Sequence, residues 1–186
     1  DNFISVAVPN WQEVWDMGFQ CSTGNVFGMG GSPAANFSCG SINQVSGAVV
    51  ATSFMAGNPA ASQDIASNVI DDAGNAFIYY TSSNPAFVNT IAKINTAFTN
   101  TMWVQPSTYN VMAYCFTKGN YVGAGGLLSN GFNCLAVNGN YLYFYDGSNL
   151  AVYNKLTGVK IAFIVVPALA LRAQGGIDVD DCDNVY

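Results

Sequence analysis

The sequence predicts an all-β chain: a β-propeller of four-stranded antiparallel blades, incomplete within these 186 residues. Three observations carry that prediction. An apolar segment running into a tight Gly/Asn turn and out into an aromatic strand recurs at Gly24-Asn25-Val26, Gly74-Asn75-Ala76, Asn138-Gly139-Asn140 and Asp183-Asn184-Val185. Long amphipathic patterns of helical period are missing, and Gly, Pro and Asn punctuate the chain every ten residues or so, as short strands joined by turns require. The spacing from Val137 to Val179 is 42 residues, within the period of four-stranded blades. A β-sandwich of about twelve strands is the alternative architecture.

Taken in order, Phe3 to Val8 is β-rich and stopped by Pro9, and Trp11 to Trp15 reads as a helical turn or an aromatic-anchored loop. Phe19-Gln20-Cys21 leads through Gly24-Asn25 into Val26-Met29, the first clear hairpin, and Gly47 to Phe54 is a further strand. A second unit enters its turn at Asp71-Asp72 and leaves as Ala76 to Thr81. Thr90 to Asn95 then alternates as a half-buried strand should, followed by Met102 to Gln105. The third unit is the cleanest: Phe132 to Val137, Tyr141 to Tyr145, Leu150 to Asn154 and Val159 to Val166, separated by polar turns. Blade-like units thus fall near 15–55, 65–105 and 132–166, with a partial one from 175, inside a single domain or part of one spanning 1–186. A hairpin at 109–126 breaks the period and reads as an insertion.

The segment Gly176-Ile177-Asp178-Val179-Asp180-Asp181-Cys182-Asp183-Asn184-Val185-Tyr186 resembles the G-I-x-V-D-x-x-G-N-x-Y core of bacterial SBBP-type and NHL-like β-propeller repeats. Ile70 to Phe77 and Ala136 to Tyr143 look like further copies. Asp183 stands where that core has glycine, and the glycine-rich tail after the second strand is mostly lost. With its low charge, its Asn, Ser and Thr richness and its scattered cysteines, the chain also resembles large surface proteins of gliding Bacteroidota exported by the type IX secretion system. That resemblance implies a secreted or cell-surface location and a secretion or surface machinery as partner.

Composition removes several function classes. Charged residues are 9% of the chain, against about a quarter in an average soluble domain, so neutral polar groups must solvate the surface. A net charge of −6 with only five basic residues leaves too few cations to neutralise nucleic-acid phosphates or to dock on anionic lipid. The absence of histidine removes the usual general base and the usual zinc ligand sets. The longest apolar run, Ile161 to Leu171, contains Pro167 and is shorter than the ~20 residues of a membrane-spanning helix. The chain opens on Asp1-Asn2 without a basic, apolar leader.

The five cysteines lie at 21, 39, 115, 134 and 182 with no C-x-x-C pair. Local pairing would join Cys21 to Cys39 and Cys115 to Cys134, each bond contributing roughly 3 kcal/mol, and would leave Cys182 without a partner. Free buried thiols are the alternative. Asn36-Phe37-Ser38 is a formal glycosylation sequon.

Candidate chemistry is sparse. Asp178, Asp180, Asp181 and Asp183 form the densest carboxylate cluster, with hard oxygen ligands of the kind that hold calcium; capping of a β-turn is the competing role. No other cofactor is implied. Tyr141, Tyr143 and Tyr145 share a strand face suited to stacking on sugar rings or to packing between blades. Asp71-Asp72 resembles a catalytic carboxylate pair, but neighbours on a strand point to opposite faces. Gly28 to Gly31 and Gly123 to Gly126 lack the lysine and helix of a phosphate loop. No residue is assigned a catalytic role. The expected function is a non-enzymatic, secreted surface protein used for recognition or adhesion, with glycan as one candidate ligand. A polysaccharide-acting propeller enzyme and a surface-layer or filament component are the rivals.

Overall fold

In a computed structural model the described residues are 14–30, 37–55, 63–82, 90–106, 134–145, 149–166 and 177–186. They form an all-β β-propeller fold with twelve strands and, among the described residues, no helix. Strands β1 (Val14–Gln20), β2 (Asn25–Gly30), β3 (Phe37–Asn43) and β4 (Val49–Met55) make one antiparallel sheet in chain order. A second holds β5 (Gln63–Ile70), β6 (Ala76–Ser82), β7 (Thr90–Ile94) and β8 (Thr101–Pro106). The third holds β9 (Leu135–Val137), β10 (Tyr141–Tyr145), β11 (Asn149–Asn154) and β12 (Lys160–Val165). Residues 1–13 and 107–133, which include Phe3 to Val8, the hairpin expected at 109–126 and Cys115, lie outside the described residues, as does Asn36.

Strand alternation sends each sheet's side chains to two neighbours. Ala76, Ile78, Ala92 and Ile94 of the second sheet meet Phe27 of the first, and Phe27 packs on Phe98 with ring centroids 4.9 Å apart. The opposite side chains of the same strands, Phe77, Tyr79 and Ile91, meet Leu135, Leu142, Phe144 and Tyr153 of the third sheet. The far face of the third sheet, through Tyr143, Leu150 and Val152, receives Ile177, Val179 and Val185. The stack is therefore sheet one, sheet two, sheet three, then the turn at 177–186, closed by a bridge between Val179 and Val185. The first strands lie innermost, β1 against β5 and β5 against β9.

Three elements differ from the sequence reading. Trp15 lies within β1 rather than in a helical turn. β3 was not anticipated, because FSCGSIN carries only two large apolar residues; it forms as a central strand bonded on both sides, to β2 and β4. β7 is buried throughout instead of half-buried, since both its faces are covered by neighbouring sheets. Burial on both faces removes the need for alternation.

Each sheet also carries a bulge between its third and fourth strands. The register skips at Ser41/Ile42, at Lys93/Ile94 and at Val152/Tyr153. An Asn sits at the turn that follows in every sheet: Asn43, Asn95 and Asn154. Its side-chain oxygen accepts backbone N–H groups from Val45 and Ser46, from Thr99 and Asn100, and from Leu156 and Thr157. This replaces ladder bonds at the turn with local ones.

A candidate recognition groove at the turn end

The turns joining first to second strands and third to fourth strands lie at the same end of the stack, as antiparallel order requires. Asp71 and Asp180 occupy equivalent turn positions. Asp71 Oδ1 accepts the Asn75 N–H at 2.9 Å, and Asp180 Oδ1 accepts the Asn184 N–H at 2.9 Å. Each carboxylate also receives the side-chain amide of its own Asn. Three residues after Asp71 and Asp180 come Gly74 and Asp183, at φ 87° and 65°. The left-handed position that glycine fills at one turn is filled by aspartate at the other.

The turns are tied to one another across sheets. Gln20 Nε2 and Ser22 Oγ both donate to the carbonyl of Asp72, at 2.9 and 2.7 Å. Lys155 Nζ donates to the Asn138 carbonyl at 2.8 Å and stands 3.4 Å from Asp71 Oδ2. Trp103 Nε1 donates to the Lys155 carbonyl at 3.1 Å. Asp183 accepts the Tyr143 hydroxyl at 3.0 Å and an N–H of the Asn138 amide. Burial, and then the Asp183 carboxylate, push the Tyr143 hydroxyl up to about 12. Lys93, 6% exposed, holds its ammonium 5.6 Å from the centroid of Phe77. Burial lowers its pKa and Asp71 opposes that shift.

Inside this rim lies a groove of about 190 Å³ along the innermost strands. Phe19 of β1, Val69 of β5, Val137 of β9 and the pair Ile177-Asp178 line it. Gly18 brings β1 close to β5 there: a Cβ at this position would stand 3.1 Å from the Ile70 nitrogen and 3.1 Å from its Cγ2. Asp178 is exposed, and its Oδ1 accepts the Val179 N–H at 2.8 Å.

The residues singled out in the sequence fall into place as follows. The four aspartates do not converge as a calcium site: among the described residues no three acidic or thiol groups are placed to hold a metal. Asp180 is spent on its own turn, accepting Cys182 N–H, Asn184 N–H and the Tyr186 hydroxyl, and the Asn184 bonds lead in drawing its pKa down. Asp183 faces Tyr143 and Asn138, and Asp181 is exposed. Tyr143 is buried between the third sheet and the 177–186 turn, with Tyr141 and Tyr145 packed partly against the same cluster. Tyr141 meets Tyr143 edge-on at 6.3 Å. Asp71 is buried and Asp72 exposed, so the two do not act as a pair.

Of the expected disulfide pairings, the register separates Cys21 from Cys39, while Cys115, the partner expected for Cys134, lies outside the described residues. Cys21 and Cys182 are free and exposed, and Cys134 is buried. Cys21 sits just beyond the Gln20–Asn25 pair, whereas Cys39 is paired with Met29, four residues further from that end of the sheet. At about 3.3 Å per residue that is roughly 13 Å, twice the span a disulfide bridges. Cys134 N–H donates to Ser67 Oγ at 3.2 Å, which binds β9 to β5 without a covalent bond. Sequence reasoning missed the Lys155 and Trp103 ties. The paired signals Asn43-Gln44-Val45-Ser46-Gly47 and Asn154-Lys155-Leu156-Thr157-Gly158 mark the turn that carries Lys155.

No family model and no curated protein matches the chain. Among solved structures it is similar to the crystal structure of BamB from Moraxella catarrhalis, a β-propeller, with a TM-score of 0.52 and 9% sequence identity. The alignment covers 90% of this chain and 45% of that one, so the chain spans less than half the length of that structure. At this identity the likeness concerns the fold alone. No helix among the described residues is long and apolar enough to cross a membrane.

Proposed function

We propose that the chain is a non-catalytic recognition propeller, exported to the cell surface or beyond, where it binds another surface component. The observation that supports this reading most directly is how the turn-end acids are used. Asp71, Asp180 and Asp183 are each held by two or more hydrogen bonds within or between turns. Asp178 is the one carboxylate lining a groove whose other side chains are apolar except for Asn68. Hydrolysis of a glycosidic bond takes two carboxyl groups facing one substrate, whereas recognition needs a shaped surface with few, well-placed polar groups. Export by a secretion machinery, and a role as its cargo, rest on the low charge and the Asn, Ser and Thr richness of the sequence.

Two measurements test the reading. Protease shaving of intact cells should remove the protein; full protection, with release only on lysis, would place it inside and defeat the export proposal. A surface-polysaccharide array followed by mass spectrometry should show binding without product. Released oligosaccharide would replace recognition with a polysaccharide-acting enzyme.

A further inference from the structure

We infer that the groove takes a short extended peptide segment, an apolar side chain with a positively charged amine beside it. This rests on the recognition reading and names its partner. Size is the first argument: about 190 Å³ is below the roughly 300 Å³ at which compact small-molecule sites begin, yet it admits one or two residues of a chain laid through it. Architecture is the second. β1, β5 and β9 are each the terminal strand of their sheet, so the inner side of the groove is built from three such strands packed side by side. An extended main chain is the ligand such strands recognise, with the pockets between them reading side chains.

Charge and lining supply the rest. Phe19, Val69, Val137 and Ile177 bring apolar side chains to the lining beside the amide of Asn68, and Phe19 remains 49% exposed. Asp178 is the one ionisable residue of the lining, and the chain carries −6 overall. A lysine, an arginine or a free N-terminus beside an apolar residue meets both features. Sugar recognition favours several aromatic platforms, and this groove has a single ring.

The test is a positional-scanning hexapeptide library, read by fluorescence anisotropy against the whole chain. Binding should select an apolar residue next to Lys, Arg or a free N-terminus. N-methylation of the selected peptide's backbone should weaken it about tenfold, as loss of one main-chain hydrogen bond would. Phe19→Ser should weaken binding by a similar factor. Asp178→Asn keeps the oxygen that caps Val179 and removes only the charge, so it should abolish the preference for a cation and flatten the salt dependence. Circular dichroism confirms that both exposed-site variants fold. A library without selection, or selected peptides indifferent to both substitutions, overturns the inference. In either case polysaccharide binding on the array would leave the recognition reading standing, whereas released oligosaccharide would remove that reading itself.

Discussion

Asp183 occupies a left-handed backbone position at φ 65°, where most side chains cost about 1 kcal/mol or more and Asp is among the better tolerated. It is held there by the Tyr143 hydroxyl and the Asn138 amide of the neighbouring sheet. Asp183→Gly relieves the backbone but strips Tyr143 of its acceptor. We expect a net loss of about 1 kcal/mol in urea denaturation, with the Tyr143 hydroxyl titrating closer to its ordinary value of 10.0 in ultraviolet absorbance. The sign of the pH effect follows. The folded state keeps Tyr143 protonated to about 12, above its ordinary 10.0. Its contribution is therefore intact below pH 10 and lost as pH rises towards 12. Wild-type stability should fall more steeply over that window than that of Tyr143→Phe; identical slopes would remove Tyr143 from the account. Gly158 is a second position decided by one atom. Its φ is 74°, and a Cβ would stand 2.7 Å from the Trp103 ring. Gly158→Ala should cost about 2–3 kcal/mol, combining left-handed strain with a clash against an indole.

At the scale of elements, the turns do more than reverse the chain. Asn154 to Gly158 presents Lys155 to Asp71 of the second sheet, where the Asp71 side chain is 3% exposed. Lys155→Met leaves that carboxylate with its own Asn75 bonds and the charge of Lys93. A loss of about 3 kcal/mol is expected in chemical denaturation, against about 0.5 kcal/mol for a substitution at exposed Leu156. Equal effects at the two sites would refute the tie. Much at this scale was readable beforehand. The D-x-x-x-N turns and the aromatic strand Tyr141–Tyr145 are local patterns, set by turn chemistry and side-chain period. What escaped was non-local. FSCGSIN becomes β3 because strands on both sides bond to it, and Thr90 and Lys93 are buried because a second sheet covers them. The bulge shared by all three sheets has no residue signature of its own, since Val50, Met102 and Ile161 are ordinary strand residues.

For the molecule as a whole, the sheets hold together through packed faces and inter-turn bonds. No disulfide forms among Cys21, Cys134 and Cys182. Cysteine spacing alone pointed to a Cys21–Cys39 staple, because proximity in sequence carries no register. The thiols become reporters instead. Iodoacetamide labelling with peptide mapping should modify Cys21 and Cys182 rapidly in the native protein and Cys134 only as the sheets separate, since Cys134 is 6% exposed. Protection of Cys134 that tracks global stability would place the contact of β9 with β5 among the last parts to open. Rapid native labelling of Cys134 would contradict its burial. The groove follows from the same arrangement: it exists because the innermost strands of successive sheets stand side by side, a relation that arises only once the blades are stacked.

Strand order in every sheet follows chain order, and this bears on how quickly the protein acquires its shape. Every ladder joins consecutive strands, so each sheet can zip as a run of hairpins with short loops to close, the fast end of β-topologies. The bonds between sheets close far longer loops: Trp103 to Lys155 and Gln20 to Asp72 each span 52 residues. Blades should therefore form early and dock late. Substitutions such as Lys155→Met should chiefly accelerate unfolding, whereas those within a hairpin should slow refolding.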